Sequence, residues 1–220
     1  MKKPRICAVI IDKDDVKAAL NVEQYVDLFE VRIDLIGDGW QEVAKQLNQP
    51  WLATNRMVSE GGNWQGDEDS RVVELLKAID LGAKFVDIEL RTQNVKRIVE
   101  TIKKSATCIV SFHDWEKMPS LEKLEGIVRE ELEAGADICK VAAKAEKFED
   151  NATILELIGR FPEAALIALS FGPLGTIGRT LSPLMGGYLT YAAAGQGKES
   201  APGQVPVREL RKIYDMWVKT

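Results

Sequence analysis

This chain of 220 residues has one histidine, His113, and three cysteines, Cys7, Cys108 and Cys139. The cysteines are odd in number and none has a neighbour at metal-ligand spacing. That argues against a zinc site and against a disulfide framework. Each sits in an apolar, strand-like run and reads as a small buried hydrophobe. No apolar stretch is long enough to span a bilayer. The basic start, Met1 to Arg5, is followed by no small-residue cleavage site, so a cytoplasmic protein is expected. The net charge of -5 gives no electrostatic reason for a nucleic-acid or anionic-membrane partner. Internal repeats, low-complexity linkers and a P-loop are all missing. What remains is 45% hydrophobic and 29% charged, the composition of an ordinary soluble globular protein. The length suits one domain spanning residues 1–220.

Short β-rich runs alternate with longer amphipathic ones. Strands are predicted over 5–11, 28–34, 51–56, 85–90, 107–112, 137–142, 165–171 and 187–191. Most are brief and apolar, as parallel strands covered on both faces should be. Helices are predicted over 69–81, 94–103, 120–134, 150–160 and 207–218. Gly82 and Gly135 supply stops, and Pro206 suits a first helical turn. Strands interleaved with helices imply parallel βα units, and eight of them close a (β/α)8 TIM barrel. The alternative is an open doubly wound sheet. That fold usually carries a glycine-rich turn after its first strand, and here the first strand runs into Asp12 and Lys13 with no glycine. Two glycine-bearing loops, 59–66 and 194–204, are long enough to be functional and to close as lids.

Charged residues recur at the predicted strand ends, where a barrel builds its active site. Strand two ends in Glu30, Arg32 and Asp34, which alternation places on one face. Strand three ends in Arg56, and strand four carries Asp87 and Glu89. Strand five hands over to a loop at His113, and strand six at Lys140. Strand seven ends in Ser170, with Arg179 beyond. A buried lysine must be paired or neutral, and a neutral one is a nucleophile toward a ketone. A nearby histidine can move protons. Arginine forks at 32, 56 and 179 suit a small anion. Plainer readings stand beside these. Lys140 could be a structural lysine paired with Asp87 or Glu89, and Glu30, Arg32 and Arg56 could be internal scaffold. Trp51, Trp115 and Trp217 read as core or rim packing. The placement as a whole suggests Schiff-base chemistry on a small anionic keto compound, which covers both aldolases and dehydratases.

In order along the chain, these residues resemble one family, the type I 3-dehydroquinate dehydratases. The resemblance runs through Glu30-x-Arg32-x-Asp34, then Arg56 with Glu60-Gly61-Gly62, and Asp87-x-Glu89. It continues through Ser111-x-His113-Asp114, Asp137 with Lys140, Ser170-Phe171-Gly172 with Arg179, and Ser200-Ala201-Pro202-Gly203-Gln204. Phe171, Gly178 and Tyr191 depart from residues common at those places. The resemblance implies removal of water from 3-dehydroquinate to give 3-dehydroshikimate, a shikimate-pathway step. It implies Lys140 as the imine-forming nucleophile, His113 as general acid and base, and Glu60 as the group orienting His113. It implies Glu30, Arg32, Arg56, Arg179, Ser200 and Gln204 as substrate contacts. It implies neither a metal nor an organic cofactor, and a homodimer. Another class I Schiff-base barrel lyase or aldolase is the alternative, and a non-catalytic anion-binding barrel is a third reading.

Overall fold

The computed structural model describes residues 3–218. Its strands are β1 (Ile6–Ile10), β2 (Leu28–Arg32), β3 (Trp51–Thr54), β4 (Phe85–Glu89), β5 (Thr107–Asp114), β6 (Ile138–Lys144), β7 (Leu166–Phe171) and β8 (Thr190–Ala193). All paired neighbours are parallel, and the order is β7-β6-β5-β4-β3-β2-β1-β8. β1 therefore pairs with both β2 and β8, which curls the sheet into a (β/α)8 barrel. Between β7 and β8 the seam is crossed just before β8, where the Tyr188 N–H donates to the Leu166 carbonyl at 2.8 Å.

The helices are α1 (Asp15–Leu20), α2 (Ile33–Ile36), α3 (Trp40–Ala44), α4 (Glu68–Asp80), α5 (Val95–Ile102), α6 (Leu121–Glu133), α7 (Asp150–Arg160), α8 (Thr176–Leu181) and α9 (Val207–Trp217). The longer ones start and stop where the sequence signals it. The Asp67 carboxylate caps α4 by accepting the Ser70 N–H, and Ser120 Oγ caps α6 by accepting the Lys123 N–H. At the far end of α4, Gly82 takes φ +100°, which lets the Ala83 N–H fold back to the Ala78 carbonyl at 3.0 Å. The four helices with no counterpart among the predicted ones (α1, α2, α3 and α8) have six residues or fewer. Such segments are too short to show a helical period and are held by tertiary contacts.

Strand alternation divides the barrel in two. Cys7, Val9, Leu28, Leu52, Ile109, Ile138 and Ile167 face inward and fill the lower interior. Their outward neighbours, such as Phe29, Val31, Val86, Val110 and Val141, pack beneath the helices. Each such fully buried side chain contributes about 1.5–3 kcal/mol. One pleat further along, the inward positions turn polar: Glu30, Asp87, Ser111, His113 and Lys140, all buried. The apolar layer supports the polar one.

Several boundaries differ from the expected ones. β5 continues through His113 to Asp114, and β6 continues to Lys144, so His113 and Lys140 sit within strands and not at the handover to a loop. Lys140 is thus fixed by ladders on both sides, and His113 by the β6 ladder on one side and by Glu60, which accepts its backbone N–H, on the other. β2 stops at Arg32, and Asp34 lies in the α2 turn. The eighth strand begins at Thr190, after Gly187 and Tyr188 have made the approach.

Candidate active site

One mouth at the C-terminal ends of the strands is lined by every expected site residue: Glu30, Arg32, Arg56, Glu60, His113, Lys140, Arg179, Ser200 and Gln204. β2 brings Glu30 and Arg32, and the segment after β3 brings Arg56 and Glu60. β5 and β6 bring His113 and Lys140. Arg179 comes from α8, and Ser200 and Gln204 from the loop after β8.

Lys140 Nζ lies 2.7 Å from Asp87 Oδ2 and 4.5 Å from the centre of the Tyr191 ring. Pairing with Asp87 was the plain alternative for this lysine, and the free protein shows that pairing. The same Asp87 oxygen receives Arg56 Nη2 at 2.8 Å, and Asp87 Oδ1 receives the Ser111 hydroxyl at 2.6 Å. Burial opposes ionisation of Asp87, but Arg56 and Lys140 outweigh it and hold the carboxyl well below its ordinary range.

His113 Nδ1 lies 2.9 Å from Glu60 Oε2, and the His113 backbone N–H donates to the same oxygen at 3.1 Å. Burial, then the cations Arg56 and Lys140, push the imidazole well below its ordinary range, so the ring is neutral at neutral pH. Burial pushes the Glu60 carboxyl up to about 7, with Arg56 pulling in the opposite direction. With Glu60 ionised, Nδ1 carries the ring proton and Nε2 holds a free lone pair.

The three arginines differ in kind. Arg32 is bound by both oxygens of Asp34, at 2.9 and 2.7 Å. Arg56 is shared between Asp87 and Glu89. Arg179 is buried with no carboxylate partner among the described residues, and only its Nε donates, to the Ser170 carbonyl at 3.2 Å. Burial alone lowers it to about 10. Of the three, Arg179 is the one with capacity for an added anion. Glu30, for its part, accepts the Thr54 hydroxyl at 2.7 Å.

The loop after β8 folds over this mouth. Gln204 accepts the Ser200 N–H and donates to Ser200 Oγ, both at 2.9 Å. The loop is fastened to the turn after β7 by Gly172 N–H to Pro202 O at 3.0 Å and Thr176 Oγ1 to Gly203 O at 3.2 Å. Gly203 has to be small, because a Cβ there would lie 2.4 Å from the Gly172 carbonyl oxygen. Gly178 is constrained likewise, since a Cβ would meet Ser170 Oγ at 1.9 Å.

Several lining or supporting residues were missing from the expected site. Asp87 and Ser111 carry the lysine's counter-ion. Trp115 lines the mouth, donates to the Glu60 carbonyl at 2.8 Å and packs on Phe171 at 4.4 Å between ring centres. Arg71 lies wholly buried behind the barrel wall, with Nη1 at 2.6 Å from Glu89 Oε2. In the sequence, Asp87 reads as a possible partner of the lysine. Arg71 gave no signal, because an arginine in the first turns of a helix ordinarily reads as solvent-exposed.

A parallel eight-stranded barrel with a lysine, a histidine–carboxylate pair and an open arginine in one mouth has the frame of a barrel lyase. The sequence family Type I 3-dehydroquinase matches residues 6–219. A 3-dehydroquinate dehydratase of Dehalococcoides mccartyi is 36% identical over 214 residues, covering 97% of this chain and 96% of that protein. One from Methanocaldococcus jannaschii is 38% identical over 216 residues, covering 95% and 97%. Among solved structures, the type I 3-dehydroquinate dehydratase of Clostridium difficile, described with covalent modified comenic acid, matches with TM-score 0.87 and 27% identity over 99% of this chain and 93% of that one. This chain belongs to the type I 3-dehydroquinase family, a family of hydro-lyases.

Proposed function

We propose that this protein removes water from 3-dehydroquinate through an imine on Lys140. What carries the reading is one juxtaposition. Arg179, buried with no carboxylate partner among the described residues, faces the same mouth as Lys140 and the His113–Glu60 pair. The substrate carboxylate binds Arg179, which places the ring ketone toward Lys140. Nζ gives up a proton, attacks the C3 carbonyl carbon and expels its oxygen as water to form the imine. Protonated, the imine is a cation, and Asp87 at 2.7 Å from Nζ stabilises it. The cation draws electrons from the neighbouring C2–H bond. His113 Nε2 takes that proton, and an enamine results. The enamine expels the C1 hydroxyl, which leaves as water with the proton from His113. Hydrolysis of the imine then frees 3-dehydroshikimate and Lys140, so one water is lost overall.

Glu60 fixes the imidazole tautomer, as a carboxylate does in triad logic. Glu30, Arg32, Arg56, Ser200 and Gln204 bind the ring hydroxyls and carboxylate, and the closed loop keeps bulk water from the imine. A sugar-phosphate aldolase needs open amide donors after strands seven and eight. Here the Gly172 N–H is taken by Pro202 and the Gly175 N–H by Gly172, which disfavours that reading.

The test is borohydride reduction in the presence of 3-dehydroquinate, followed by peptide mass spectrometry. The expected result is a substrate-dependent adduct on the peptide holding Lys140. A folded, active protein that gives no adduct there overturns the imine mechanism.

A further inference from the structure

Glu60 has two carboxylate oxygens with unlike surroundings. Oε2 receives the backbone and ring nitrogens of His113. Oε1 has one partner among the described residues, Arg91, whose Nη1 lies 3.5 Å away. The same nitrogen lies 3.5 Å from the His113 carbonyl oxygen. The guanidinium sits over the Phe112 ring, 4.4 Å from its centre, so its stem is held against β5. The Arg91 side chain is half exposed, whereas that of Glu60 is fully buried. Arg91 thus reaches in from the lip to the far side of the carboxylate that faces His113.

We propose that Arg91 is a positioning residue for His113, acting through Glu60: its charge on Oε1 favours the carboxylate and so keeps the ring proton on Nδ1. This rests on the reading of His113 as the base. When Glu60 is protonated, its O–H can donate to Nδ1. The ring then carries its proton on Nε2 and has no lone pair for the substrate. When Glu60 is ionised, Nδ1–H donates to it and Nε2 is free. Ionisation of the carboxylate therefore creates the base. The other charges facing Glu60 are Arg56 beyond β3 and Asp87 and Glu89 on β4. Arg56 favours ionisation, and the two carboxylates oppose it. Arg91 is the cation on the open side.

The experiment uses the single histidine of this chain, whose ring nitrogens can be followed by 15N NMR without ambiguity. The free protein is titrated as wild type, Arg91→Met and Arg91→Lys. Met keeps an unbranched apolar side chain at this position and removes the charge together with the guanidinium's contact on the Phe112 ring. In the wild type the Nδ1–H tautomer grows in as pH rises through about 7. In Arg91→Met that midpoint moves up by roughly half a pH unit, a modest shift because the cation is half in solvent. Arg91→Lys stays near the wild type. An unmoved midpoint in a folded Met variant overturns the proposal, and so does a Lys variant that shifts as far as Met. A merely structural arginine would change the melting temperature and leave the midpoint in place. Because no substrate is present, an active enzyme with an unmoved midpoint sinks this inference alone. A moved midpoint in a protein that does not dehydrate 3-dehydroquinate sinks the reading of the base.

Discussion

Lys140 Nζ and Arg56 Nη2 meet on one oxygen, Asp87 Oδ2, at 2.7 and 2.8 Å. One buried carboxylate oxygen thus serves two buried cations, and its twin is occupied by Ser111. Replacing Asp87 by Asn leaves the cations in place and removes their shared counter-charge. The expected loss of folding stability is about 3–5 kcal/mol, the range for breaking one side of a buried pair. Urea denaturation of the Asp87→Asn variant at pH 7 measures it. A loss below ~1 kcal/mol would mean the pair is not buried as described.

Glu60 gives a pH dependence whose sign can be worked out. Its folded-state pKa is about 7, above its ordinary 4.5. A raised carboxyl contributes stability that is fully present below 4.5 and is lost as pH rises through about 7. The loss amounts to about 3 kcal/mol by pH 8. The Glu60→Gln variant cannot ionise, so it should be more stable than the wild type at pH 8 and nearly equal at pH 5. Thermal unfolding at the two pH values checks this. Asp87 acts in the opposite direction, since a depressed carboxyl withdraws stability as pH falls into the acid range.

Activity should follow the same group. On the proposed mechanism the base exists once Glu60 is ionised, so kcat/KM of the wild type should rise with pH through a limb near 7. Glu60→Gln should lack that limb and lose about 10²-fold or more in kcat/KM. A retained limb would move its origin to another group.

Arg179 carries a buried charge with no carboxylate partner among the described residues. The Arg179→Met variant should match or exceed the wild type in ligand-free stability by about 1 kcal/mol. Its KM for 3-dehydroquinate should rise about tenfold or more, the loss of a charged hydrogen-bonded contact. Steady-state kinetics alongside thermal unfolding decides the point, and an unchanged KM removes the clamp.

Gly203 tests the loop. Its φ is +85°, and a Cβ would press on the Gly172 carbonyl oxygen. The Gly203→Ala variant should keep the barrel but release the loop. Proteolysis within 195–205 should speed up several-fold, and substrate should no longer protect the segment.

The barrel was legible because its strands are brief, apolar and spaced by helices, and the upper polar layer because charge inside apolar runs is rare. His113 and Lys140 were assigned to strand ends, yet both lie inside longer strands. Alternating polar residues stop a strand by pattern but not by hydrogen bonding: the ladders from β5 to β7 continue past them. The three arginines looked alike in sequence. Only the folded geometry separates Arg179 from the other two: Arg32 turns back onto Asp34 two residues on, and Arg56 meets the carboxylates of β4. Trp115 was read as rim packing, and it does pack on Phe171, but its indole N–H also holds the Glu60 backbone. That second role depends on a loop folding back, which no local period encodes. Arg71 and Arg91 gave no signal because the carboxylates that tie them to the site, Glu89 and Glu60, lie 18 and 31 residues away in the chain.

The seam between β7 and β8 adds a consequence for how ligand and fold communicate. At its foot it is crossed by the Tyr188–Leu166 hydrogen bond, and above it by the stitches from Gly172 to Pro202 and from Thr176 to Gly203. The cover of the mouth is therefore also the clasp of the barrel. If it lifts to admit a substrate, the cylinder is unfastened along its least-bonded line. A ligand held by Arg179 on one side and by Ser200 and Gln204 on the other would span that line. Its binding energy would then appear as resistance of the whole fold to unfolding.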